Sequence, residues 1–471
     1  VEVYFQPGTH HHTLTSTISS APGSPNSAAD LRALQYFQQK AAPALAASFD
    51  SDFWNTIVLQ VSDNQTPVRS AVIAFSSLHE SFERGILYGP GGIPSDGNHL
   101  HALRKYNIAV QQTAQLLNLK DPDSCRVALV SCLLFICLEL LQNNYARAID
   151  HLMAGLRMIS FSENAGEDAH LPASLSILGD SLKQFFGRIV VQSMFLADTH
   201  WDVGVIPKVH KIETPAAFST LTEAKVRLDS LFLTAYPFLH LIAREPGHDR
   251  GKFYHSQLLN EISIWYRLFQ LFVNENQAKF TPKDSLGAIL LEIHSNSLSV
   301  MLDTALDKSK TFRNTSAPRF LRIVTLVESL LSPQNQFLSS FITPPSRLPH
   351  YSFDLGVIGP LFYTAVKCWD PTVRSKALSL LRHPNIPHRE GMYNATMTAA
   401  IAQRVAVMEE NFLRDSIHAD IEGSNCDTTE ERVWFDLERP TEDTKELKIF
   451  VGELGEKHRM KEKRQVEVVH W

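Results

Sequence analysis

Apolar positions recur at helical spacing through most of the chain from about residue 30 to about residue 412. The pattern is clearest at Thr66–Gly85. Val68, Ala71, Val72, Phe75, Leu78 and Phe82 fall on one face, Thr66 offers a cap, Pro67 suits a first turn and Gly85 provides a stop. The same reasoning predicts helices over 30–42, 51–61, 98–119, 123–142, 145–161, 174–199, 222–243, 251–279, 284–307, 317–331, 353–368, 371–382 and 389–412, with Pro237 kinking the helix that contains it. Very short connectors, as between 123–142 and 145–161, favour antiparallel neighbours. The predicted fold class is therefore all-α, a multi-helix antiparallel bundle.

Punctuation divides the chain. Residues 201–220 and 332–352 are proline-bearing connections, and 416–431 is polar. Beyond it, VWFDLE, ELKIFV and VEVVHW are short runs of β-formers separated by turn and charge residues, so a small β element is expected at the C-terminus. At the other end, residues 13–27 are rich in Ser, Thr, Pro and Gly, VEVYFQ at 1–6 resembles a protease-site scar, and His10–His12 resemble a tag or linker. The expected organisation is a linker or cloning remnant at 1–29, a helical domain at 30–412 and a polar linker with a small appendage at 413–471. No fixed-period repeat is visible.

Composition narrows the partners. The chain has 471 residues, 44% hydrophobic and 20% charged, with a formal net charge of −6, which argues against direct nucleic-acid binding by the bulk of it. Its five cysteines include no CxxC pair, so reduced, buried thiols in an intracellular protein are expected, without a structural zinc site. The longest apolar run, Val127–Leu141, falls short of the 18 or so residues of a bilayer span and reads as a core helix. A large complement of Phe (27 residues), with Trp54, Trp201, Trp265 and Trp369, supplies an apolar interior that either closes on itself or leaves a ligand cavity.

Two stretches carry a resemblance. Near the N-terminus stand Tyr36-Phe37, Ala42-Pro43-Ala44-Leu45, Phe49-Asp50-Ser51-Asp52-Phe53-Trp54, Val58-Leu59-Gln60, Val68-Arg69-Ser70-Ala71-Val72 and Leu78-His79-Glu80. Near the C-terminal end stand Pro360-Leu361-Phe362, Lys367-Cys368-Trp369-Asp370-Pro371, Arg374, Ala377, Leu380-Leu381, Arg389-Glu390-Gly391 and Glu409-Glu410, and His151-Leu152 with Ala154-Gly155-Leu156 lie between. In order and spacing these resemble the regulatory region of fungal zinc-cluster (Zn(II)2Cys6) transcription factors, over roughly residues 30–412. The resemblance implies an all-α regulatory domain that follows an N-terminal cluster of six cysteines gripping DNA. This chain departs there: no Cys precedes Cys125. Zinc and DNA contact are thus expected only from a segment upstream of Val1, or from none.

The resemblance implies a nuclear or cytoplasmic regulator that shifts between masked and exposed states on binding a hydrophobic small molecule or transcriptional co-regulators, with homodimerisation among its options and no membrane partner. A second reading, from another class, is a transcription-factor-like domain recruited as a cofactor-free enzyme that cyclises or isomerises a hydrophobic polyketide or terpenoid. Its acid/base candidates are His79, Glu80, Asp198, His200 and Asp202. Against them stands the plain reading, in which His79-Glu80 are packing and cap residues and 198–202 is a helix-end turn. His99 and His101 are two apart and point to different faces of a helix, and His383 and His388 lack a carboxylate in a ligand pattern, so no metal site is expected. Cys132 and Cys137 lie inside the apolar run and read as packing. Gly89-Pro90-Gly91-Gly92 lacks the ending of a phosphate loop, and the basic run at 457–464 reads as a solvated face, with a localisation signal as the alternative.

Overall fold

The computed structural model describes residues 27–50, 52–85, 97–118, 122–164, 173–196, 215–244, 249–306, 316–332, 351–368, 370–421, 431–435, 446–453 and 464–470. The first helix, α1 (Ala28–Tyr36), opens on a capping box: Ser27 Oγ accepts from the Asp30 amide, and Asp30 Oδ2 accepts from the Ser27 amide. It runs through a widened π turn, Phe37–Ala41, into α2 (Ala42–Ala46). The wide turn precedes Pro43, which has no N–H to give to the ladder. A second π turn, Phe53–Ile57, leads into α3 (Val58–Asn64). Helix α4 (Thr66–Glu83) follows, and Gly85 leaves it at φ +69°. Thr66 is its first helical residue rather than its cap. Gln65 holds the cap position in extended geometry and makes no side-chain cap bond.

Helices α5 (Gly97–Leu117), α6 (Pro122–Leu141), α7 (Tyr145–Asn164) and α8 (Ala173–Leu196) continue the first half. Then come α9 (Leu221–Arg244), α10 (Asp249–Asn276), α11 (Pro282–Leu306), α12 (Ala317–Leu331), α13 (Ile358–Lys367), α14 (Pro371–Leu381) and α15 (Ala395–Ile421). Pro237 lies within α9, whose helix continues past it to Arg244. Helix α4 is nearly all buried and packs on α1, α3, α5 and α6. Helices α9, α10, α11 and α12 form a second group, and α13, α14 and α15 a third. Helix α8 touches all three through α6, α7, α9 and α13. At Gly155 of α7 a Cβ would stand 2.1 Å from the Phe186 ring, so a side chain there would push α7 and α8 apart.

The chain is helical as predicted, and the C-terminal β element is present: β4 (Glu431–Phe435), β5 (Glu446–Glu453) and β6 (Arg464–His470) form an antiparallel meander with a register shift at Ile449/Phe450. Two expectations change near the predicted signature. The helix predicted over 353–368 begins only at Ile358, and the one predicted over 389–412 begins at Ala395 and reaches Ile421, into the stretch read as polar linker. What precedes them is a second small sheet. Here β1 (Tyr351–Ser352) runs parallel to β2 (Arg389–Glu390), which pairs antiparallel with β3 (Tyr393–Asn394). Gly391, at φ +50°, makes the turn between β2 and β3.

The apolar core is one cluster running from Ala33 to Met408. Trp54 and Trp265 are its largest members; the Trp265 indole donates to the Ala224 carbonyl at 2.9 Å and its ring stacks on Phe269. Among the described residues, two helices, at Asp123–Leu141 and Pro282–Ala305, are long and apolar enough to cross a membrane by length and composition, but 89% and 78% of their apolar windows are buried inside the fold.

Candidate functional site

The polar interior concentrates where α8, α9 and α11 meet the 351–357 and 389–394 segments. Helix α8 brings Arg188 and Gln192, one turn apart on its buried face. The Arg188 guanidinium donates to Asp50 Oδ2 at 2.6 Å and to Asp229 Oδ2 at 2.9 Å, with its carbon 5.1 Å from the centre of the Phe185 ring. Lys225, one turn before Asp229 on α9, lies 3.3 Å from Asp229 and 3.3 Å from Asp354, and 5.2 Å from the centre of the Phe49 ring. Three carboxylates thus share two cations. Burial would raise Asp354, but Lys225 and then Arg188 hold it below the ordinary range. Burial pushes Asp50 up, against Arg188 and with help from the Asp354 charge. Arg188 is held charged by Asp50, Asp229 and Asp354 in spite of its burial.

Beside this chain of charges, Gln192 bridges the two segments. Its Nε2 donates to the Phe353 carbonyl at 2.9 Å and its Oε1 accepts from the Met392 amide at 3.0 Å, while the Tyr393 hydroxyl donates to its backbone carbonyl. The Gly391 amide donates to the Ser352 carbonyl at 2.7 Å. Glu390 Oε2 accepts from the Ile358 amide at 2.7 Å, which places a buried carboxyl on the first turn of α13. Burial pushes that carboxyl up to about 8; the amides of Ile358 and Val357 relieve it in part and the Asp354 charge adds to it. A Cβ on Gly356 would stand 2.1 Å from Glu390 Oε1, so the carboxyl packs directly on bare backbone. His294 of α11 faces the Gly356 carbonyl through Nε2 at 2.9 Å, and burial pushes its imidazole down to about 4. Arg389, almost wholly buried, donates to Asn143 Oδ1 and to the Tyr145 hydroxyl at 3.4 Å, joining the hairpin to the α6–α7 turn.

A second polar group surrounds His79 and Glu80. Although adjacent, the two face different partners. Glu80 holds Arg32 of α1, Arg84 and, at 3.2 Å, Asn98 of α5. His79 is fully buried among Tyr36, Phe75 and Tyr351. The Tyr36 hydroxyl donates to Glu83 at 2.7 Å and has one hydrogen, so it accepts from His79 Nδ1 at 3.1 Å. That fixes the Nδ1–H tautomer, and burial pushes the imidazole down to about 3, far from the range of an efficient base at neutral pH. A similar trio recurs in α5, α6 and α7, where the Tyr106 hydroxyl meets Glu139 at 2.6 Å and His151 Nε2 at 2.8 Å. Both trios tie helices together.

Asp198, His200 and Asp202 lie outside the described residues. Among the described residues no group of three or more His, Cys, Asp and Glu is placed to hold a metal ion. Cys132, Cys137 and Cys368 are free and buried, and burial pushes Cys132 up to about 12 and Cys368 to about 11. Sequence reasoning named Asp50, Arg389, Glu390 and Gly391 through the resemblance, but not Arg188, Gln192, Lys225, Asp229, Asp354 or His294. The available signal was charge on an apolar helix: Arg188 lies in QFFGRIVVQ, and Lys225 and Asp229 sit one turn apart on α9.

The model of the fungal specific transcription factor domain matches residues 32–275. Among curated proteins, the aspercryptin biosynthesis cluster-specific transcription regulator atnN of Emericella nidulans is 27% identical over 192 residues, which is 40% of this chain and 30% of that protein. The chain therefore spans less than a third of that relative's length. No solved structure matches the chain.

Proposed function

The chain belongs to the fungal specific transcription factor domain family, and from that premise we propose that it sets the output of a pathway-specific regulator of a secondary-metabolite gene cluster. Its place in the family makes it a fungal transcription factor regulatory domain. The finer reading is that it acts in the nucleus, that DNA contact comes from a zinc cluster outside this chain, and that a hydrophobic small molecule or a co-regulator protein biases its conformation. The relative that regulates the aspercryptin cluster supports the secondary-metabolite assignment.

The observation that carries the conformational part is the Gln192 bridge. A single amide on α8 ties the Phe353 carbonyl to the Met392 amide, so it pins the segments that lead into α13 and α15 to the family-matched half, alongside the shared apolar core. A ligand or partner that binds better when this bridge is open would shift the domain between two arrangements. Among the described candidates, catalysis draws no comparable support, because His79 and Glu80 are both engaged in joining helices.

The test is a reporter assay in a filamentous fungus, with the whole chain fused to a heterologous DNA-binding domain. Transcription several-fold away from that of the DNA-binding domain alone is expected, and a folded Gln192→Leu variant should change that output. Reporter levels equal to the bare DNA-binding domain in every condition would sink the proposal.

A further inference from the structure

Arg389 is a buried cation with no anion beside it. Its side chain is 1% exposed, and among the described residues no carboxylate pairs with it. Arg188 and Lys225, also buried, each hold two. Glu390, the next residue, turns to the first turn of α13 instead. Arg389 leans on neutral groups: Asn143 Oδ1, which also accepts from Asn394 Nδ2 at 3.4 Å, the Tyr145 hydroxyl at 3.4 Å, and the Tyr145 ring, whose centre is 5.8 Å away. Helix ends do not answer the charge. The C-terminus of α6 and the N-terminus of α7 meet in this turn, and their dipoles oppose each other. A guanidinium cannot shed its charge, and a buried charge without a partner is costly to a fold.

Two neighbouring polar atoms are also unsatisfied. Tyr351 is the cross-strand partner of Arg389 in the β1–β2 pair. Its hydroxyl has no oxygen or nitrogen partner and lies beside the Cys137 thiol, a weak one. The Tyr351 ring centre is 6.4 Å from that of His79, whose Nε2 has no partner either. Arg389 Nε completes the set. Strands β1 and β2 and helix α4 thus bring two idle donors and one idle acceptor together among the rings of Phe75, Tyr145 and Tyr351. Buried polar atoms are nearly always satisfied, so the cluster points to a ligand.

We propose that Arg389 and Tyr351 bind the carboxylate of a small monocarboxylic acid with an apolar body. This deepens the small-molecule reading above and rests on it for any regulatory consequence. A carboxylate supplies the charge that Arg389 lacks, and its two oxygens can accept from the guanidinium and the phenol. A phosphate would bring more negative charge than one guanidinium answers. His79 sets the orientation. With Nδ1–H given to Tyr36, its Nε2 is an acceptor and repels an anion, so the charged end belongs at Arg389 and the body among the rings. Arg389, Tyr351 and His79 are sealed from water in this arrangement. The acid therefore enters when the 389–394 hairpin leaves the α6–α7 turn, the opening that release of Gln192 permits.

Calorimetric titration of the whole chain with octanoate tests this, with octanamide and sulfate as controls. The expected result is saturable octanoate binding with a Kd on the order of 0.1 mM. Octanamide, which has the body without the charge, and sulfate, which has charge without the body, should bind about tenfold more weakly or worse. Arg389→Met should weaken octanoate by about tenfold or more. Tyr351→Phe removes only an unpartnered hydroxyl, so it should keep the thermal midpoint and still weaken octanoate about fivefold. That variant decides the matter should Arg389→Met not fold. No saturable octanoate binding, octanamide binding as tight, or octanoate binding that survives the substitutions would overturn the proposal. Octanoate binding that depends on Arg389, with a reporter output that Arg389→Met leaves unchanged, would uphold the site and sink the regulatory reading alone.

Discussion

Gln192 and Gly391 occupy each other's space: the Gln192 Oε1 lies 2.0 Å from where a Cβ on residue 391 would stand. The amide that bridges the two halves of the domain can reach Met392 and Phe353 only because residue 391 has no side chain and turns at φ +50°. Gly391→Ala should therefore strain the turn and displace the bridge together. We expect a loss of roughly 2–4 kcal/mol in urea unfolding, above the roughly 1 to 2 kcal/mol of a non-glycine residue at positive φ alone. A loss below that smaller figure would separate the turn from the bridge.

Arg188 serves two carboxylates that have few alternatives. Arg188→Met should leave Asp50 and Asp229 buried beside a single cation, Lys225, at a cost of about 3–5 kcal/mol. Adding Asp50→Asn should restore part of it. A double-mutant cycle that returned purely additive losses would contradict the shared network.

Glu390 gives a pH dependence of unusual sign for a carboxyl. Folding raises its pKa from 4.5 to about 8, so the folded chain holds the proton more tightly than the unfolded one. Its contribution is complete below pH 4.5, declines as pH rises and is gone above pH 8. Asp354 works in the opposite direction, so the measurement is the difference between wild type and Glu390→Gln, which keeps an acceptor for the Ile358 amide. That difference should move by roughly 3 kcal/mol between pH 5 and pH 8, in favour of the variant at the higher pH.

Two buried histidines, His79 and His294, and the half-buried His151 contribute to the acid limb. His79 is held near 3, and His151 and His294 near 4, all below the ordinary 6.5, so the unfolded chain takes up their protons first. Their contribution is complete above pH 6.5 and is lost as pH falls towards 4. His294→Gln retains a donor for the Gly356 carbonyl. It should recover about 2 kcal/mol of the stability the wild type loses between pH 7 and pH 4.5, read by thermal or urea unfolding at each pH. An acid limb as steep as the wild type's would rule out His294 as one of its sources.

The helices are readable where apolar positions recur at helical spacing between recognisable start and stop residues, as at Pro67 and Gly85 of the buried α4. Asp370-Pro371 marked the start of α14, where Asp370 Oδ1 accepts from the amides of Thr372 and Val373. Position 66 shows the limit: threonine suits a cap by chemistry, but the backbone places it one residue inside α4. Two-residue strands such as 351–352 and 389–390 have no period to detect. The sequence pattern extends a helix back to Arg389 because nothing local says that the Glu390 carboxyl is buried against Gly356, 34 positions earlier. The hub was legible only in part for the same reason. Asp50, Arg188, Asp229 and Asp354 are far apart in the chain, and their pairing is a property of the packing of α8 on α9.

The close fit of Gln192 against Gly391 also limits what inheritance can do here. Within descendants of this sequence, a side chain at residue 391 should be found only where residue 192 has become smaller, and a glutamine at 192 should travel with a glycine at 391. The two positions lie 199 residues apart and on either side of the family-matched boundary, so recombination that swaps one half of the domain between relatives should yield inactive hybrids whenever it separates this pair.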